Sequence, residues 1–206
     1  MAKTPSYQSL LDDQFALAEQ IGTLTFRIRG QLRSRQMIDF FLKDRVNNPE
    51  SPKLAPLLAS AKALKSYCWI FDGYKESVDS QLAAKYPTEN YQSELLDSRE
   101  ALKKSEGWVQ PGIILAGLSG ATIEAKGPRV VVEVTETGCT WRYLVNDTTP
   151  KPQQFDKFYN LPDWVEVPNE GTTADQLKAL KTIYQEEVTK LSGFVDYLNE
   201  RRFLAD

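Results

Sequence analysis

Four arginines crowd one short run of this chain, LTFRIRGQLRSRQ beginning at Leu24: Arg27, Arg29, Arg33 and Arg35. Guanidinium groups at such spacing grip phosphates and carboxylates bidentately, so the run is the first candidate for phosphate or nucleic-acid contact. Six cations, counting Lys43 and Arg45, stand against Asp39 and Asp44, leaving residues 23–46 with a net charge of +4. The spacing argues for a different use. On a helix the four arginines point to about 0°, 200°, 240° and 80° around the axis. A groove-reading helix gathers its cations on one side and keeps the other for packing. Arginines that encircle a helix are expected to pair with acids of neighbouring segments. Asp12, Asp13, Glu19, Glu89, Glu94, Asp97 and Glu100 supply those acids.

Other chemistries find less support. The chain has no histidine, which removes the commonest general base, the commonest activator of Ser or Cys, and the commonest transition-metal ligand. Asp12-Asp13 and Glu186-Glu187 are paired carboxylates in sequence, but consecutive helical residues diverge by about 100° and do not share a proton or a metal. The glycine-rich PGIILAGLSGATIEAKG resembles a phosphate loop only in composition. Leu118, ahead of Ser119, stands where the lysine must be. Cys68 sits among Tyr67, Trp69, Ile70 and Phe71, a setting that makes a thiol inert, and Cys139, beside Gly138, is expected to be the more exposed. No catalytic residue, metal or cofactor is expected, and a carboxylate- or divalent-metal-dependent enzyme is the remaining catalytic alternative.

A second candidate surface is apolar. The stretch TTPKPQQFDKFYNLPDWVEVPNEG reads as a long irregular loop, and Phe155, Phe158, Tyr159 and Trp164 are the large rigid side chains that anchor interfaces. They either dock a partner or fold back over a small sheet. The C-terminal segment adds a ridge: Leu177, Leu180, Tyr184, Leu191, Phe194 and Leu198 recur at three- and four-residue spacing. Ile183, Val188 and Val195 widen it, which suits a bundle more than a two-stranded coil.

These residues need elements to hold them. From Tyr7 to about Asn47 a seven-residue spacing runs through Leu10, Gln14, Leu17, Ile21, Leu24 and Ile28 to Ile38 and Leu42, and predicts a long helical segment ended by Pro49 and Pro52. Residues 24–29 also alternate between Gly22 and Gly30 as a strand would; the helix is preferred because the spacing carries across Gly22. Its length calls for an elongated fold or a bend near Gly30. Two further helices are expected over about 53–86 and 89–105. Composition then turns β-branched and aromatic, with RVVVEVTETGCTWRYLV as the best hairpin: Val130, Val132 and Val134 on one face, and Trp141, Tyr143 and Val145 on the return strand. Gly138 is read as the positive-φ turn residue. GIILAGL and ATIEAKG add two strands. Thr172 or Thr173 caps the last helix, with Asp175 in its first turn.

The order predicts an α+β fold: a helical region over 1–106, a small antiparallel β region over 107–171, and a C-terminal helix over 172–206 that packs back on the helical part. With 41% apolar residues, four Trp, nine Tyr and nine Phe, the chain has the material for a core, and a net charge of −3 opposes a surface that coats nucleic acid. No secretory segment or membrane span is visible, and two distant cysteines fit a reducing compartment, so a cytoplasmic location or an intracellularly assembled particle is expected. The functional expectation is a non-catalytic assembly or accessory subunit, as in a phage particle or a bacterial complex. It would bind copies of itself or other subunits. A nucleic-acid-associated subunit is the alternative, and no membrane partner is expected.

Overall fold

A computed structural model describes residues 6–48, 50–58, 60, 109–118, 127–154 and 164–203. In chain order the elements are α1 (Tyr7–Leu32), α2 (Arg35–Asn47), α3 (Ala55–Leu58), β1 (Ile114–Gly117), β2 (Arg129–Val134), β3 (Gly138–Tyr143), β4 (Lys151–Gln154), β5 (Trp164–Val167) and α4 (Thr173–Phe203). The α+β class, the long first helix and the long last helix packed against it are as the sequence predicts. The expected helix over 89–105, most of the one over 53–86, Cys68 and the strand ATIEAKG lie outside the described residues.

Helix α1 settles the ambiguity at 24–29. Its buried positions are Leu10, Leu11, Gln14, Ala18, Ile21, Thr25, Ile28 and Leu32, an unbroken three- and four-residue rhythm that only a helix can bring to one side. The stripe shares Gln14, Ile21 and Ile28 with the predicted heptad but takes Ala18 and Thr25 where Leu17 and Leu24 are expected. Those leucines lie at the flanks, half-buried. The helix ends at Leu32, and Ser34 adopts an extended backbone (φ −74°, ψ 128°) before α2 begins. The expected interruption therefore falls a few residues after Gly30.

The chain divides into two compact units: Met1–Gly22 with Arg99–Glu186, and Thr23–Ser98 with Glu187–Asp206. Both long helices contribute to each.

The first unit holds a five-stranded sheet in the order β4-β3-β2-β1-β5, with every pair antiparallel. The hairpin β2–β3 forms as predicted, but a bulge between Val131 and Glu133 changes its phase. An extra residue in one strand turns the following side chains over. Val131 and Val134 therefore join the Trp141 face, while Val132 is exposed. Gly138 is not a positive-φ residue; among the described residues the glycines with positive φ are Gly112, Gly127 and Gly171. It sits inside β3, where a Cβ would lie 2.3 Å from the Gln153 carbonyl oxygen of β4. Close approach of backbones, not turn geometry, requires glycine here.

The stretch 146–171, read from sequence as an irregular loop, supplies both edge strands. Its prolines disguise them: Pro152 is within β4, an edge strand among the described residues, and an edge tolerates a residue without an N–H. On one face of the sheet Leu115, Val131, Cys139, Trp141, Tyr143 and Trp164 form a buried cluster. Arg129 lies 4.0 Å from the Trp141 ring and 4.9 Å from that of Trp164, each contact worth about 0.5–2 kcal/mol. Leu10 and Leu11 of α1 cluster with Val145 and with Leu177 of α4. Gln14 Nε2 donates to the Leu177 carbonyl at 2.7 Å, Lys181 pairs with Asp13 at 2.6 Å, and the buried Tyr184 hydroxyl donates to the Gly117 carbonyl of β1. A capping box starts α4: Thr172 N–H donates to Asp175 Oδ2 at 3.0 Å and Asp175 N–H to Thr172 Oγ1 at 3.3 Å.

The described part of the second unit is helical. Its buried apolar side chains among the described residues are Ile28 and Leu32 of α1, Met37, Ile38, Phe41 and Leu42 of α2, Leu54, Leu57, and Leu191, Phe194, Val195, Tyr197 and Leu198 of α4. Phe41, Phe194 and Tyr197 make an aromatic triangle with centroids 5.2–6.3 Å apart. Gly193 lets Leu57 approach, since a Cβ there would come within 3.3 Å of Leu57 Cδ2. The buried Glu187 carboxylate accepts from Ser60 Oγ at 2.7 Å.

Candidate functional site

The four arginines do not share one helix. Arg27 and Arg29 belong to α1, Arg33 lies in the break, and Arg35 opens α2. The expected encirclement of a single axis is thus corrected by the break at Ser34. Arg29 is half-buried, while Arg27, Arg33 and Arg35 are exposed. Arg29, Arg33 and Arg35 each have interactions within the chain, whereas Arg27 has no ion pair or hydrogen bond among the described residues. Glu89, Glu94, Asp97 and Glu100, the expected partners on a third helix, lie outside the described residues.

Arg27 faces a cavity of about 530 Å³ in the second unit. Arg27, Gly30, Gln31 and Ser34 stand at i, i+3, i+4 and i+7, so α1 and its end present them on one side. Met37 and Leu198, both buried, give the cavity apolar walls, and Arg202 in the last turn of α4 brings a second guanidinium. Gln31 is fixed by donating from Nε2 to Asn199 Oδ1 at 2.5 Å. Ser34 makes no side-chain cap to α2. Sequence reasoning finds Arg27 but misses Arg202, which is 175 positions away in the chain and is marked by no motif.

A second hollow of about 200 Å³ is lined by charges that satisfy one another. Tyr197 donates to Asp44 Oδ2 at 2.6 Å, Arg201 pairs with the same oxygen at 2.7 Å, and Lys53 meets Glu200 at 2.5 Å. Burial first, and then the charge of Asp44, push the Tyr197 phenol well above its ordinary value. That hollow is a structural network.

The apolar interface candidates are mostly core. Trp164, Leu177, Leu180, Tyr184, Leu191, Phe194 and Leu198 are all buried by this chain's own residues. The expectation that they meet a partner is corrected: a stripe with i+3/i+4 spacing looks the same whether it faces its own sheet and helices or another molecule. Phe155, Phe158 and Tyr159 lie outside the described residues. Among the described residues the exposed large apolar side chains are Tyr7, Phe15 and Phe26 on α1 and Val132 on β2.

Cys139 is buried, contrary to the exposure expected of it, because its side chain joins the Trp141 face of the sheet. Burial raises its thiol pKa, partly offset by the charge of Arg129. Among the described residues no three His, Cys, Asp or Glu side chains converge as a metal ion would need, and no helix is long and apolar enough to cross a membrane. No protein-family model, curated protein or solved structure matches the chain.

Proposed function

We propose that the chain is a non-catalytic subunit that works through protein–protein contacts within a larger assembly. The observation that carries this reading is Phe26. It is 75% exposed on a helix whose opposite side is fully packed. Burying such a ring against a partner is worth about 1.5–3 kcal/mol, and aromatic side chains, Phe among them, are enriched in the cores of interfaces. Tyr7 and Phe15, exposed on the same helix, support the same use of α1. The partner is a second copy or another subunit.

Light scattering after size exclusion, with affinity capture from the native source, tests this on the wild type and on Phe26→Ser. The wild type should run above the 23.4 kDa chain mass or retain a stoichiometric partner, and the variant should lose that association while keeping its helical circular dichroism. A strict monomer without a partner, or a partner retained equally by the variant, would overturn the proposal.

A further inference from the structure

We propose that the 530 Å³ cavity binds a small phosphorylated molecule, with Arg27 and Arg202 as its phosphate clamp. Its volume lies within the roughly 300–1,000 Å³ range of small-molecule sites. The charged residues among its described lining are both arginines, and neither has an ion pair or hydrogen bond among the described residues. Guanidiniums on one concavity offer an anion charge-assisted, bidentate hydrogen bonds. Chain positions far apart converge here: Arg27 comes from α1 and Arg202 from the last turn of α4.

Gly30 makes the space. It lines the cavity, and a Cβ built on it meets no atom within 4 Å. A glycine within a helix is unfavourable relative to almost any other residue, and Gly30 lies in the last turn of α1. At this position its missing side chain leaves room for a ligand. The walls then sort the ligand's parts: phosphate against the arginines, the apolar portion on Met37 and Leu198, and a polar group within reach of the Ser34 hydroxyl. A phosphate group reaches the clamp either on a free small molecule, whose size the cavity volume matches, or on a nucleic-acid strand.

Titration calorimetry with AMP and with inorganic pyrophosphate, and fluorescence anisotropy with a twenty-nucleotide thymidine strand, test the assignment. The wild type should bind AMP or pyrophosphate with Kd below about 1 mM, weakening at least tenfold in Arg27→Gln with Arg202→Gln. Gly30→Leu should abolish binding by filling the cavity while keeping or raising the melting temperature, which separates loss of the site from loss of the fold. Binding of the strand alone, lost in the same variants, would keep the phosphate clamp and identify nucleic acid as its source. Absence of binding by every probe, or binding that survives all three substitutions, would overturn the proposal.

Discussion

Asp175 shows how much one exposed carboxylate can organise. Hydrogen bonds from the Thr172 side chain and then from the Thr172 backbone hold its pKa below the ordinary carboxylate value. The sign follows from linkage. A group whose folded pKa is lowered contributes stability in full above its unfolded pKa, and loses it as pH falls through the folded value. The start of α4 should therefore loosen only at strongly acidic pH. In a nuclear magnetic resonance pH series the Thr172 amide proton, which bonds Asp175 Oδ2, should titrate with a midpoint below that of a free aspartate. Asp175→Asn should remove the titration, and an amide that ignores pH would refute the cap. The Thr-x-x-Asp spacing and the preceding Gly171 were legible in the sequence because capping is local chemistry. The burial of Cys139 was not, because the face a strand residue takes depends on what covers the sheet.

Among elements, the hairpin and its bulge divide what is local from what is not. Alternation in RVVVEV predicted the strand, yet the bulge between Val131 and Glu133 decided which valines point inward. A bulge answers to the partner strand, and one extra residue reverses every later assignment. Gly138 carries the same lesson: its identity suggested a turn, but its reason is the Gln153 backbone pressed against it in β4. Gly138→Ala should accordingly cost about 1–3 kcal/mol, the usual penalty of overpacking, read as a lowered urea midpoint with unchanged slope. If glycine served only a turn conformation, loosening β4 would not follow. Hydrogen exchange at the β3–β4 amides distinguishes the two, with faster exchange expected across that pair alone. Helix α1 gives the complementary case. Its alternating LTFRIR imitates a strand, and winding it as a helix buries Ile28 and puts Phe26 outside.

At the scale of the molecule, each compact unit is built from separated parts of the chain. The second unit takes Leu191, Phe194, Tyr197 and Leu198 from α4, together with α2 and the end of α1. A chain ending at Glu186 should therefore lose more than its deleted helix. Without Phe194 and Tyr197, Phe41 loses both ring contacts, and removing large core side chains costs about 3–5 kcal/mol each. Circular dichroism should record a fall in helix content larger than the missing residues account for, with rapid amide exchange throughout α2. Protection of α2 equal to that of the full chain would contradict this account.

By itself the sequence determined the α+β class, both long helices, the hairpin and the cap of α4, since periodicity, turn chemistry and capping act over a few residues. It also showed that histidine chemistry is closed to this chain. Only the tertiary structure decided that the C-terminal apolar ridge is core, that two strands hide in a proline-rich stretch, and that Arg27 and Arg202 line one cavity. Those outcomes depend on which surfaces distant segments present to one another. A hydrophobic stripe or a cation carries no mark, in its own stretch of chain, of what will stand opposite.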